Sequence, residues 1–172
     1  IVNGDIKDDF GKISDQEWRE LLKIFDYLSK YCKKLILVKG NHDTILGPIA
    51  KKRDMIICQY HVLSANKKYL IIHGDNIPEQ AVFKDIDVII ISHEHPAVSI
   101  KDGPRVELFK CYLVGKWKRK ELIVLPSFNE LTQGHDLTNE LPISPFLEDN
   151  IKRCKVLVVG DKVYDFGLLK KL

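Results

Sequence analysis

Three short apolar runs, each closed by residues that can ligate a metal or move a proton, constrain this chain more than any other feature. Leu35-Ile36-Leu37-Val38 leads into Lys39-Gly40-Asn41-His42-Asp43, Tyr69-Leu70-Ile71-Ile72 into His73-Gly74-Asp75, and Val88-Ile89-Ile90-Ile91 into Ser92-His93-Glu94-His95-Pro96. Short continuous apolar runs bounded by glycine or proline suit strands buried on both faces. A fourth instance opens the chain, where Ile1-Val2 precedes Asn3-Gly4-Asp5. In open α/β sheets the crevice beyond the carboxyl ends of the strands gathers residues that are distant in sequence. Asp5, Asn41, His42, Asp43, His73, His93 and His95 are therefore expected to meet at one edge. Imidazole nitrogen, carboxylate oxygen and amide oxygen together suit manganese, iron, zinc or nickel better than a thiolate site would. His93 and His95 stand two apart, which in an extended segment puts both rings on one side.

The remaining elements follow from spacing. Ser14-Asp15-Gln16-Glu17 has the form of a capping box, and Trp18, Leu21, Leu22, Phe25, Leu28 and Cys32 recur every three or four residues, which predicts a helix over about residues 15–31. A short helix is expected around residues 79–84. Strand and helix segments so alternate as in a layered α/β domain. Beyond Pro96 the texture changes: runs at 98–100, 106–117 and 122–125 are separated by Asp102-Gly103-Pro104 and by Lys118-Arg119, which read as turns. That half is expected to be mostly antiparallel, ending in a hairpin of 156–159 and 163–166. Residues 126–145 read as a long ordered loop, and long loops in compact domains are often functional.

Composition narrows the class. At 172 residues with 45% hydrophobic residues, the chain is long enough for a real core and reads as one domain over residues 1–172. Its 27 basic and 24 acidic residues nearly balance, so the whole-protein field does not dictate a polyanionic partner and any nucleic-acid preference must be local. Cys32, Cys58, Cys111 and Cys154 form neither a C-x-x-C pair nor a zinc-ribbon spacing and read as buried thiols of a reducing compartment. No apolar stretch is long enough to span a membrane, and no secretory signal pattern opens the chain. A cytoplasmic location with no membrane partner is the expectation.

In the order Gly4-Asp5, Gly40-Asn41-His42-Asp43, His73-Gly74 and His93-Glu94-His95-Pro96, these motifs resemble those of the calcineurin-like metallophosphoesterases. Together with Leu125-Pro126-Ser127-Phe128-Asn129 they look most like the ICC-like phosphoesterases of archaea and bacteria. The resemblance implies a four-layer α/β/β/α sandwich of two mixed sheets. It also implies a two-metal site, with manganese first and iron, nickel or zinc as alternatives. Asp5 would bridge the two ions, Asn41, His73 and His93 would complete the second ion's shell, and His95 would belong to the first. His42 would touch the phosphoester, and Asp43 would orient it. In such a site two ions about 3.5–4 Å apart neutralise the phosphate and activate a water for in-line attack. A histidine then protonates the leaving group, a contribution of about 10²–10⁴-fold.

One departure accompanies the match. Members of that family carry a D-x-H motif on a strand upstream of G-D, and no D-x-H occurs in this sequence. The fold is thus expected to be N-terminally incomplete, and this polypeptide alone to bind one ion and turn over poorly. The implied activity is a phosphodiesterase or phosphatase. The alternatives are a catalytically impaired fold serving as a protein-binding scaffold, and a nuclease acting on nucleic-acid ends.

Other residues carry weaker signals. Asn129 and His135 lie in the long loop and are candidates for substrate contact. Lys116, Lys118, Arg119 and Lys120 surround Trp117 at a turn, a pattern that can hold a nucleic-acid backbone, although a solvated turn is the plainer reading. Lys51-Lys52-Arg53 and Lys170-Lys171 have the same status. Asp8 and Asp9 read as solvated loop residues that could support the site from behind the ligands, and His61 as a strand residue.

Overall fold

A computed structural model of the chain describes residues 1–7, 14–43, 53 and 55–172. Asp8, Asp9, Lys51 and Lys52 lie outside the described residues. The chain opens with β1 (Val2–Asn3), followed by helix α1 (Asp15–Leu28) and β2 (Ile36–Val38). Ser14 caps α1 by accepting a hydrogen bond from the Glu17 N–H at 3.1 Å, as the capping spacing requires. The helix stops three residues short of the expected end. Ser29 hydroxyl and amide both return to the Phe25 carbonyl, and Lys30 and Tyr31 donate to Tyr27 and Leu28 in tighter turns.

Next come β3 (Ile56–Cys58), β4 (Tyr60–Ser64), β5 (Lys68–Ile72), a 3₁₀ turn at Gln80–Phe83 and β6 (Val88–Ile91). The later half supplies β7 (Pro96–Asp102), β8 (Arg105–Trp117), β9 (Lys120–Val124), β10 (His135–Asp136), β11 (Lys155–Val159) and β12 (Val163–Leu168). The predicted loop at 126–145 therefore contains a strand: His135 and Asp136 pair in parallel with Pro96 and Ala97. A two-residue bridge leaves no periodic trace in sequence.

Two sheets result. The smaller has the order β1-β2-β3, and among the described residues its pairs are all parallel. The larger is mixed, with the order β10-β7-β8-β9-β6-β5-β4 and with β11 on β8 and β12 on β11. The expectation of two mixed sheets thus holds for the larger one. Besides β10–β7, its parallel pairs are β5–β6 and β6–β9, which run through the three-strand stretch that carries the second and third apolar runs. The thirteen-residue β8 serves three neighbours, pairing β7 through its first half and β9 and β11 through its second.

The apolar runs are as buried as their composition predicts. Leu37, Val38, Leu70, Ile89 and Ile91 are wholly inaccessible. Leu21 and Phe25 of α1 pack on Leu35 and Leu37 of the smaller sheet. Phe83, Trp117 and Phe146 form a ring cluster in the core of the larger sheet, with centroids 4.7–6.2 Å apart. Cys111 and Cys154 are buried thiols as expected, but Cys58 is half-buried and Cys32, just beyond α1, is exposed. Among the described residues no helix is long and apolar enough to cross a membrane.

Candidate metal centre

The strands β1, β2, β5 and β6 deliver their carboxyl ends to one place. Two contacts lock the sheets together there: the Asn3 amide donates to the Ile72 carbonyl at 3.1 Å, and the Ser92 hydroxyl donates to the Asn3 carbonyl at 2.6 Å. Two glycines permit the approach. A Cβ on Gly4, whose φ is +73°, would stand 2.1 Å from His73 Nδ1, and one on Gly40 would stand 2.1 Å from Asp5 Oδ1. Asp5 itself holds a left-handed φ of 47°, as does His95. For residues other than glycine this conformation is uncommon and carries strain, so its occurrence at two candidate ligands is notable.

At the centre lies His73, wholly buried. Its Nε2 is 3.1 Å from Asp5 Oδ2, 3.0 Å from Asn41 Oδ1 and 3.1 Å from His93 Nδ1. Asp5, His73 and His93 have their ligand atoms within 4.8 Å of one another. One ring nitrogen carries at most one hydrogen and can donate to one partner only. The remaining contacts bring lone pairs face to face, an arrangement that a cation among the four atoms relieves. Two nitrogens and two oxygens suit a divalent ion of the manganese-to-zinc series. The residues present fit the metal that the motifs imply.

The electrostatics agree. Burial opposes ionisation of Asp5, but the His73 hydrogen bond and charge, with the His42 N–H at 3.2 Å, hold its carboxyl below the ordinary carboxylate range. Burial, and then the charge of His73, push His93 down, so its ring favours the neutral, metal-binding form. Burial likewise lowers His95, which is close enough to Asp5, His73 and His42 for their charges to act on it.

Asp43 is buried, and burial followed by the nearby Asp5 charge raises its carboxyl. Its oxygens accept from the N–H groups of Ile6 at 3.1 Å and Gly40 at 2.9 Å, and the Lys7 N–H also donates to it. Asp43 therefore ties the loop after β1 to the loop after β2. His42, in the loop after β2, donates its own N–H to Asp5 in the loop after β1.

His135 is committed on both ring nitrogens, Nδ1 at 2.7 Å from Glu94 and Nε2 at 3.2 Å from Glu140. Asn129 lies on an exposed turn, its carbonyl gripped by the Lys110 ammonium and its side-chain oxygen accepting from the Leu131 N–H at 3.0 Å. The basic turn is far from the ligands. Glu121 pairs with Val88 at the start of β6, whereas His93 follows its end. Lys116, Lys118, Arg119 and Lys120 thus occupy the opposite end of the sheet. Trp117 is only 8% exposed, packed on one side in the core and covered on its outer face by Lys118, so little of its ring is left for stacking.

Three residues escaped the sequence reading. Glu94, between the two histidines and wholly buried, accepts from the N–H groups of Ile143 and Ser144 and from His135, so it straps the 126–145 segment to the site. Ser92 contacts His73 Nδ1 at 3.3 Å. Lys110 of β8 is near enough to His95 for its charge to act there. The position of Glu94 inside H-x-H was a visible signal; Lys110 had none. A cavity of about 410 Å³ is lined by residues that include Lys39, Ile72 and Asp75, neighbours in sequence of the ligands, but by none of the candidate ligands themselves.

Among solved structures, the chain is similar to the Pseudomonas putida nuclease MPE, at 19% identity and a TM-score of 0.56, covering 85% of this chain and 61% of that one. The chain thus spans less than two thirds of that nuclease. Vps29 of Entamoeba histolytica (14% identity, TM-score 0.41, covering 96% of this chain and 98% of that one) and Vacuolar Protein Sorting 29 of Cryptosporidium parvum (15%, 0.40, 96% and 96%) are more distant in shape. No curated protein matches the chain. The family model described as calcineurin-like phosphoesterase matches residues 1–161, a span that holds every candidate ligand. The chain belongs to the calcineurin-like phosphoesterase family.

Proposed function

We propose that the chain is a metal-dependent phosphoesterase that hydrolyses a phosphodiester or phosphomonoester. The observation that carries this reading is the convergence of Asp5, Asn41, His73 and His93 on a single ring nitrogen position, with His42 and His95 beside them. The four converging atoms would hold one divalent ion, and Asp5 and His95 would contribute to a second. Manganese heads the candidates. When bound, the ions supply charge neutralisation of the phosphate and a water acidified to near neutrality. His42, held at the mouth by its N–H on Asp5, would hydrogen-bond a phosphate oxygen or hand a proton to the departing oxygen. Asp43 keeps that loop in place. A nuclease substrate would enter on the side of the ligand cluster and not along the basic turn, which lies at the other end of the sheet.

The test is hydrolysis of bis-p-nitrophenyl phosphate and p-nitrophenyl phosphate by the full-length protein with added Mn²⁺, together with its metal content. Turnover that disappears in His42→Ala while metal content stays constant is the expected result. A protein that binds metal yet hydrolyses nothing with any divalent ion would overturn the enzyme reading and leave a protein-binding scaffold in its place.

A further inference from the structure

We propose that Ser92 is a positioning residue that fixes which nitrogen of His73 faces the metal. This inference rests on the reading of the cluster as a metal centre. The Ser92 hydroxyl has one hydrogen, and it lies 2.6 Å from the carbonyl oxygen of Asn3, which has no hydrogen to give in return. That hydrogen is therefore committed to Asn3. The lone pairs of the same oxygen face His73 Nδ1 at 3.3 Å. The contact is a hydrogen bond only when Nδ1 carries the ring proton. In the neutral ring Nε2 is then bare, and Nε2 is the atom that meets Asp5, Asn41 and His93.

The backbone reinforces this arrangement. The Ser92 and His93 N–H groups both donate to the His73 carbonyl at 2.9 Å, so the end of β6 grips His73 at its main chain and at its ring. Asn3 directly precedes Gly4-Asp5, so the one hydroxyl connects the strand that delivers Asp5 to the histidine that Asp5 meets. Ligating histidines usually donate their second ring N–H to a carboxylate, a carbonyl or water, and loss of that partner weakens metal binding by about 10–100-fold. Here a serine hydroxyl, made an obligate acceptor by its own bond to Asn3, fills that place.

Zinc, a diamagnetic probe, tests the proposal by competition titration and by nitrogen-15 NMR of the loaded protein. Wild type should show His73 bound through Nε2, with an Nδ1–H proton slow enough in exchange to be seen. Ser92→Ala should bind zinc about 10–100-fold more weakly and lose that proton signal, and Ser92→Thr, which keeps a hydroxyl, should restore both. Zinc affinity of Ser92→Ala within about twofold of wild type overturns the proposal. So does coordination of His73 through Nδ1, a result that wild type alone supplies if the alanine variant fails to fold. A wild-type protein that takes up no zinc and no manganese would instead overturn the metal centre itself, and the inference with it.

Discussion

The two ends of the larger sheet are built from similar residue types and behave in opposite ways. At the end where β5 and β6 finish, charged and polar groups are buried and face one another. At the end where β6 begins, they are solvated. Among the described residues, the buried polar and charged side chains are Lys7, Asp43, His73, Glu94 and Ser144, and each lies on or beside a site motif. At the other end, Lys67 pairs with Glu121 at 2.9 Å while both remain about half exposed, and Lys118 lies over the outer face of Trp117. Exposed ion pairs are worth about 0–1 kcal/mol. Buried polar groups are costly unless partnered, and the fold has concentrated that cost at the end where strands supply ligands. The difference teaches that local richness in charge says little about function; burial together with mutual approach says much more.

The largest test of that contrast is His73→Ala. It removes the atom on which Asp5, Asn41 and His93 converge and should weaken metal binding by more than about 100-fold, beyond the usual effect of an outer partner; a calorimetric titration with Mn²⁺ checks it. His42→Ala should separate chemistry from binding, lowering kcat about 10²–10⁴-fold with metal affinity unchanged. A parallel fall in metal affinity would place His42 among the ligands. Glu94→Gln should cost about 1–3 kcal/mol in denaturant unfolding, because a buried acceptor of several N–H groups loses its charge. An unchanged midpoint would mean that the 126–145 segment is not strapped through Glu94.

Acid should act on the same end. His93 and His95 are held below the ordinary histidine value of 6.5, chiefly by burial. As the pH falls, the unfolded chain takes up these protons before the folded one does. Their contribution to stability is thus present above 6.5 and lost as the pH drops through the lowered folded values. Metal affinity should fall in the same direction as acid protonates His93 and His95; an affinity that stays constant on acidification would count against their role as ligands. The smallest effect is expected at the far end. Lys118→Glu should change stability by less than about 0.5 kcal/mol and leave hydrolysis of a small ester untouched. Were it to flatten the salt dependence of nucleic-acid binding, that turn would carry a separate contact with the polyanion.

Much of the fold is legible in the sequence. The capping box at Ser14, the apolar face of α1 and the three buried runs form because each is a local pattern of burial and backbone capping. The convergence of Asp5, Asn41, His73 and His93 was legible for a related reason: strand ends in such sheets share one edge, so ligand types at strand ends are an address. The exceptions have a physical cause in common. The strand at His135–Asp136 is a two-residue bridge with no period. The burial of Trp117 beside an exposed lysine turn depends on Phe83 and Phe146 arriving from elsewhere.

By itself, then, the sequence determined which elements form, which residue types gather at their ends and the family to which they point, since periodicity, capping and motif order are local properties of the chain. Only the tertiary structure decided who partners whom. It placed Asp43 between two loops, committed His135 to Glu94 and Glu140, carried the basic turn to the far end and set Ser92 between Asn3 and His73. Most of those assignments join residues far apart in the chain, 37 positions for Asp43 and Ile6 and 89 for Ser92 and Asn3, which tertiary packing fixes and no local pattern encodes.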